Sequence, residues 1–338
     1  PVGQTVGYAM RGERKTGPNT RIEVVTEGIL TRMIQSDPEL TGIDCVIFDE
    51  FHERSLNADL GLALCIECRT ALREDLALIV MSATLDAAPV AELLNDAPII
   101  TSEGRSYPVE PIFLSRPTSK ERRLEAYMAD LIAQALNETD GSILAFLPGE
   151  GEIRRTESLL ASRIAKDTTL RPLFGAMKFQ DQRAAIQPEA DGRRKIVLAT
   201  SIAETSLTIE GITTVVDSGF ARRARFDAGT GMSRLVTERA SRAEATQRAG
   251  RAGRLGAGKA YKLWAKGENG TLPAFAPAEI ETADLTGLAL ELALWGAPPE
   301  DLPFLTPPNP IALGEAQALG AGFQDWRVRL HGSESRLG

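Results

Sequence analysis

Ile43-Asp44-Cys45-Val46-Ile47-Phe48-Asp49-Glu50-Phe51-His52 is a short apolar run that stops on two acids. Residues 43–48 are too few for a helix, and a continuous apolar run of this length reads as a parallel strand covered on both faces. Residues 76–81 repeat the pattern and stop on Ser82-Ala83-Thr84. Between them, residues 57–72 place Leu60, Leu64 and Leu72 at helical spacing among small residues. Strand, helix and strand in that order mark an α/β fold. In such sheets ligands collect at the carboxyl ends of the strands. Asp49, Glu50, Ser82 and Thr84 are therefore expected to face a site.

Working outward, residues 22–25 form another apolar run, which enters Thr26-Glu27-Gly28. Downstream, a proline-marked connection over 107–118 leads into a second α/β unit. Residues 124–136 read as a helix and 142–147 as a strand ending at Pro148-Gly149. Residues 196–199 read as a strand ending at Thr200-Ser201, 213–216 as a strand ending at Asp217-Ser218-Gly219, and 260–264 as a last short strand. Each polar cluster again falls at a strand exit. From about residue 272 the texture changes: residues 279–294 read as an amphipathic helix, followed by a proline-punctuated loop, which suggests a small helical module. After about residue 319 the pattern dissolves.

Bulk properties set limits. The chain has 338 residues, ordinary hydrophobic (43%) and charged (25%) fractions and few aromatics (5%), so its cores must be aliphatic. No apolar run reaches the roughly 20 residues of a membrane span, and nothing reads as a signal peptide. Cys45, Cys65 and Cys68 cannot all pair, and Cys65-x-x-Cys68 lacks the second pair a tetrahedral metal site needs. Three reduced thiols fit a cytoplasmic location. The net charge of −8 argues against a general polyanion binder. Yet Arg222 to Arg254 holds nine arginines against Asp227, Glu238 and Glu244, a local excess of 9 − 3 = +6. Such a stripe suits a channel that grips phosphate. The alternative is a solvated, salt-bridged surface.

Several clusters carry chemistry. An acid pair at a strand exit can serve a nucleotide site, Asp49 holding Mg²⁺ largely through water and Glu50 orienting and deprotonating the attacking water. A solvent-facing strand exit would look the same. Ser82 and Thr84 can sense that pair or simply cap a helix. Residues 200–211 are a hydroxyl-rich turn suited to phosphate. In Gln247-Arg248-Ala249-Gly250-Arg251-Ala252-Gly253-Arg254, Arg251 and Arg254 share a helix face. Gly250 and Gly253 each cost a helix roughly 1 kcal/mol relative to Ala, so something is expected to approach closely there. Two convergent guanidiniums can stabilise charge on a transferring phosphoryl group. Thr26 and Gly28 can hold a nucleic-acid phosphate or merely turn the chain.

Taken together and in order, these residues resemble the DEAH/RHA-type superfamily 2 helicases. Thr26 to Leu30 is similar to motif Ib, Asp49-Glu50-Phe51-His52 with Glu53-Arg54-Ser55 to motif II, and Ser82-Ala83-Thr84 to motif III. Phe146-Leu147-Pro148-Gly149 with Glu152-Ile153 is similar to motif IV, residues 199–211 to motif V and residues 247–254 to motif VI. Phe51, where the family name has Ala, is similar to the bacterial HrpB-type branch. The likeness spans about residues 1–313. It implies two RecA-like parallel-sheet domains, the first incomplete, over 1–103 and 104–267. A small, mostly helical winged-helix-like module and the start of a helical domain would follow over 268–319, and then an atypical tail over 320–338. It implies ATP or another NTP with Mg²⁺, and a single-stranded RNA or DNA partner, with RNA expected and translocation 3′ to 5′. Asp49 and Glu50 would serve the metal and the water, His52 would link to Gln247, and Arg251 and Arg254 would be arginine fingers. Ser82, Thr84, Ser206, Thr208 and Glu210 would line the nucleotide. Thr26, Gly28, Thr200, Arg222, Arg223 and Arg225 would meet nucleic acid, and a hairpin over 217–238 would wedge the duplex. The pattern departs in one respect: Gly-x-x-x-x-Gly-Lys-Ser/Thr occurs nowhere in the 338 residues. These residues alone are not expected to complete an ATPase site. The alternative reading is a nucleotide-independent nucleic-acid-binding module without turnover.

Overall fold

The structure, a computed structural model, describes residues 1–83, 86–102, 104, 107–165, 167–189, 192–204, 207–227 and 229–319. Two compact units divide them: one takes residues 1–100, 224–234 and 277–319, the other residues 101–223 and 235–276.

The first unit begins with strands β1 (Val6–Met10), β2 (Glu13–Lys15) and β3 (Ile22–Val25) in one small sheet, β1 lying parallel to β3 and antiparallel to β2. Helix α1 (Glu27–Ser36) follows, then β4 (Cys45–Phe48), α2 (Leu56–Ala71), β5 (Ala77–Val80) and α3 (Ala87–Leu93). Strands β4 and β5 pair in parallel, Phe48 opposite Val80. Ser55 caps α2 by accepting from the Ala58 amide.

The expected two-sided burial of these strands is corrected by the structure. Val46 and Phe48 face inward, but Ile47 is 55% exposed and Ile79 45% exposed. Ile22 and Val24 on β3 are likewise exposed. In the β4–β5 sheet one face packs on helices and the other presents the aliphatic side chains of Ile47 and Ile79. Helix α2 is apolar around most of its girth because both its sides are covered. Its leucines share a core with Ile34, Phe48 and Phe51 and also with Ile280, Leu288, Leu292, Phe304 and Leu313.

That last group corrects a second expectation. The helix read over 279–294 is a 3-10 turn at Glu279–Glu281 and a separate helix α8 (Thr286–Trp295). Asp284 breaks the run by accepting from the Thr286 amide at 2.9 Å, an Asx-type turn. Residues 310–319 are helical. Among the described residues of 268–319 there is no strand, so the expected winged-helix module finds no support there.

The second unit is a doubly wound sheet. Its strands are β6 (Val109–Leu114), β7 (Ser142–Phe146), β8 (Thr168–Leu173), β9 (Arg194–Ala199), β10 (Ile212–Asp217) and β13 (Gly258–Ala265). Their order is β6-β13-β10-β7-β9-β8, all parallel. Alternation along the central strands fills two cores. Ile143, Ala145, Ile196, Leu198 and Val216 pack under α4 (Leu124–Glu138) and α5 (Glu150–Leu160). Leu144, Phe146, Val197, Ala199 and Val215 pack on the opposite face with Ala185 of α6 (Phe179–Ile186) and Ala203. Strands β11 (Phe220–Asp227) and β12 (Met232–Arg239) form a hairpin at the expected place, followed by α7 (Arg242–Gly250). The two strands absent from the sequence reading, β6 and β8, are the sheet's edges. Each contains a proline, Pro111 and Pro172, which an edge tolerates because one side of it needs no donor.

Candidate nucleotide and nucleic-acid site

In the first unit β4 delivers Asp49 and Glu50 to its carboxyl end. Asp49 is exposed and its Oδ1 accepts from the Glu50 amide at 2.9 Å. Glu50 has φ 51°, a left-handed conformation that turns the chain sharply off the strand into a 3-10 turn at Phe51–Glu53. The turn is fastened to β5: the Met81 amide donates to the Phe48 carbonyl (2.8 Å) and the Phe51 amide to the Met81 carbonyl (3.0 Å). The acids and Ser82 therefore lie at adjacent strand ends, Ser82 exposed. Thr84 lies outside the described residues. His52 is nearly buried, its Nδ1 3.4 Å from a Glu50 carboxylate oxygen. Phe51 fills the core, edge-on to Phe48 at 6.1 Å, which gives the aromatic at this position a packing reason.

Arg54 and Ser55 close the loop. Arg54, also left-handed at φ 48°, grips Asp59 through two 2.9 Å bonds and donates to Thr306 Oγ1 at 2.8 Å. Ser55 donates to Glu27 at 2.6 Å, in the first turn of α1. Burial holds the Glu27 and Asp59 carboxyls above their ordinary range, against the Ser55 and Arg54 bonds that pull them down. Thr26 is the N-cap of α1 and its side chain makes no capping bond, while Gly28 is exposed with open space around it. Both expected nucleic-acid residues thus sit together on one open helix start.

In the second unit Thr200 follows β9 and precedes the 3-10 turn Ser201–Ala203, again without a side-chain capping bond. Thr208 and Glu210 are exposed, and Ser206 lies outside the described residues. Helix α7 starts on a reciprocal capping pair, Ser241 with Glu244. It carries half-buried Gln247 and ends at Gly250. Arg251 and Arg254 do not continue α7 as expected, because residues 251–253 tighten into a 3-10 turn. Arg251 is buried, its guanidinium donating to the carbonyls of Glu204 and Leu207, both at 2.7 Å. Arg254 is exposed and donates to Thr208 Oγ1 at 3.1 Å. The glycine expectation holds at one position of two. A Cβ on Gly253 would stand 2.6 Å from the Tyr107 carbonyl oxygen, whereas Gly250 has open space around it.

The sequence reading missed the most deeply buried charge cluster. Arg248 is 1% exposed. Its Nε donates to Glu204 Oε1 at 2.7 Å, and its Nη1 to Asp217 Oδ1 at 2.8 Å and to the Phe220 carbonyl at 3.1 Å. Burial disfavours the Arg248 cation, but Glu204, Asp217 and Glu244 outweigh it and hold the proton. One acid inside the hydroxyl-rich turn and one at the next strand exit were the available signals.

The basic stripe is also more internally spent than its net charge suggests. Arg222 donates to Glu152 at 3.1 Å, and Arg223 pairs with Glu244 and lies 3.6 Å from Glu238. Arg239 stacks on Phe220 and Trp264. The salt-bridged reading of this surface accounts for Arg222 and Arg223. Cys65 and Cys68 are buried free thiols, and burial pushes them up to about 12 and about 11. Among the described residues no group of three His, Cys, Asp or Glu could hold a metal, and no helix is long and apolar enough to cross a membrane.

Residues 124–256 match the family described as Helicase conserved C-terminal domain. The chain is 52% identical over 318 residues to the ATP-dependent RNA helicase HrpB of Escherichia coli, covering 94% of this chain and 39% of that protein. It is 39% identical over 298 residues to the pre-mRNA-splicing factor ATP-dependent RNA helicase prp22 of Schizosaccharomyces pombe, covering 86% of this chain and 25% of that protein. The crystal structure of E. coli DExH-box NTPase HrpB superposes with a TM-score of 0.86 over 94% of this chain and 39% of its own. The chain therefore spans about two fifths of its bacterial relative's length.

Proposed function

We propose that the chain, which is similar to HrpB over 94% of its length, is a DEAH/RHA-type superfamily 2 helicase that supplies motor elements of an ATP-dependent RNA helicase working 3′ to 5′. One observation carries the reading. In each unit the polar motif residues stand at carboxyl ends of parallel strands: Asp49 and Glu50 after β4, Ser82 just past β5, Thr200 after β9 and Asp217 ending β10. A scaffold with a solvated surface has no reason to gather them there.

In this reading Glu50 orients and accepts a proton from the attacking water, with His52 beside it. Arg251 and Arg254 supply positive charge toward the transferring phosphoryl group, and Thr208 and Glu210 border the nucleotide. Asp49 fits Mg²⁺, since a single exposed carboxylate suits an ion that keeps several waters and takes its remaining ligands from phosphate. Mg²⁺ supplies charge neutralisation of the phosphate oxygens when bound. The glycine-rich backbone and lysine that would cradle the β- and γ-phosphates are not among these residues. Thr26, Gly28 and Thr200 contact the RNA backbone, and Arg225 adds charge.

The test is equilibrium binding of a labelled single-stranded RNA to the 338-residue chain. Affinity should fall steeply with salt as counterion release is suppressed, and Thr26→Ala with Arg225→Ala should weaken it and flatten the slope by about one charge. Binding that is indifferent to salt and to both substitutions overturns the proposal.

A further inference from the structure

Motif VI, residues 247–254, holds motif V, residues 199–211, at three successive points. Arg248 binds the Glu204 side chain, Arg251 the Glu204 and Leu207 carbonyls, and Arg254 the Thr208 hydroxyl. The first of these contacts reaches further. The guanidinium of Arg248 spans from Glu204 to Asp217 at the end of β10 and to the carbonyl of Phe220, the first residue of the hairpin. Asp217 Oδ1 also accepts from the Gly219 amide at 2.9 Å. Gly219 must be glycine: its φ is 74°, and a Cβ would stand 2.8 Å from the Trp264 ring. The ring of Phe146 lies against the guanidinium at 5.2 Å.

We propose that Arg248 is a positioning residue that locks the Glu204 turn and the root of the β11–β12 hairpin into one cooperative body, so that displacement of the turn is passed to the hairpin root. The physical reason is the cost of separating the arms. If Glu204 moves away alone, it gives up its bonds to a guanidinium that is 1% exposed, and separating a buried charged pair is costly. A planar fork with fixed angles, gripping two carboxylates and a carbonyl, transmits the position of one to the others in a way a flexible ammonium cannot. Further bonds stiffen the root. Arg222 ties it to Glu152 on α5, Arg223 to Glu244 on α7, and Arg239 packs between Phe220 and Trp264. The inference rests on the helicase reading for its purpose, since it gives the nucleotide-side turn a route to the hairpin. The lock itself is a property of the folded chain.

Amide hydrogen exchange on the 338-residue chain, without RNA or nucleotide, tests the lock directly. Glu204→Gln keeps the shape and removes one charge. It should speed exchange of the Gly219 and Phe220 amides roughly tenfold, although neither bonds to residue 204, while the amides of central strand β7 stay within about twofold. Reciprocally, Asp217→Asn should speed exchange at Ala203 and Glu204, as coupling between two sites requires. Arg248→Lys should let the two regions exchange independently. If Arg248→Lys fails to fold, the two single-arm variants still decide the matter. Effects of Glu204→Gln confined to its own turn, or an equal rise across the whole sheet, would overturn the proposal, the latter marking a merely structural role. RNA binding lost with exchange still coupled sinks the helicase reading alone, and exchange uncoupled with RNA binding intact sinks only the lock.

Discussion

Replacing Arg54 by Met should destabilise the first unit by about 3–5 kcal/mol, the cost of leaving one partner of a buried pair uncompensated. The structure fixes this magnitude. Asp59 is 2% exposed, and both its oxygens are bound at 2.9 Å by the Arg54 fork. Methionine fills similar volume over Phe51 but offers no donor to Asp59 or to Thr306. For a body of about 150 residues, 4 kcal/mol corresponds to a fall in Tm of roughly 10 °C. The double variant Arg54→Met with Asp59→Leu should recover most of the loss, because an apolar pair replaces a buried ionic one at little net cost. The pH dependence has a definite sign. Burial already holds Asp59 above its ordinary carboxylate value, and Arg54 draws it down. Without Arg54 the folded-state pKa climbs further. A group raised in the folded state contributes stability below its unfolded pKa and loses it as pH rises through the folded value. The gap between variant and parent should therefore narrow as pH falls from about 7.5 toward about 5. Urea unfolding followed by Trp295, which donates to Glu67 in the same unit, reads all of this. A loss below about 1 kcal/mol for Arg54→Met, or a double variant no better than the single, would falsify the reasoning.

Other outcomes follow from the same structure. The 338-residue chain should show no RNA-stimulated ATP hydrolysis in a phosphate-release assay; turnover that Glu50→Gln abolishes would contradict this, because the β- and γ-phosphates lack their lysine and glycine-rich cradle. The bare sheet face should bind an apolar dye, and Ile47→Thr with Ile79→Thr should cut that fluorescence while changing stability by no more than about 1 kcal/mol. Undiminished fluorescence would place the dye elsewhere. Gly253→Ala should lower Tm clearly, since its Cβ meets the Tyr107 carbonyl, whereas Gly250→Ala should leave it unchanged or raise it by up to about 1 kcal/mol worth of helix propensity. Equal effects of the two would show that the close approach is not real. Cys65 and Cys68, pushed up to about 12 and about 11, should resist an aromatic disulfide reagent at mild alkaline pH until the chain unfolds, and half-buried Cys45 should react first.

The central strands of the second unit were legible because burial on both faces writes itself as an unbroken apolar run. Val215 and Val216 belong to opposite cores and need no polar neighbour. The edges were not legible, for an equally local reason. Strand β8 reads Thr-Thr-Leu-Arg-Pro-Leu, with Arg171 held by Glu189 and Pro172 tolerated because β8 is the edge of the sheet among the described residues. In the first unit the same logic misled. An apolar run such as Cys45-Val46-Ile47-Phe48 states what a strand can bury, not what covers it, and Ile47 lies open. The C-terminal helix was mis-bounded because the leucine spacing around 285–292 continues a pattern that Asp284 interrupts with a single hydrogen bond.

The arginines show where sequence reading runs out at a site. Motif spelling places Arg248, Arg251 and Arg254 within seven residues, and helical spacing alone would treat the last two as equivalent. The structure gives each a different constraint. Arg248 cannot leave without breaking bonds to two carboxylates inside the fold, which suits it to positioning. Arg251 is committed to two backbone carbonyls, each charge-assisted bond being worth roughly 1.5–3 kcal/mol, and can turn toward a phosphate only if the turn holding Glu204 and Leu207 yields. Arg254, exposed and bound to the Thr208 hydroxyl, can reorient at far smaller cost. Three identical side chains thus divide into a fixed brace, a conditional donor and a mobile one. That division follows from burial and from whether the partner is a carboxylate, a carbonyl or a hydroxyl, none of which the motif itself encodes.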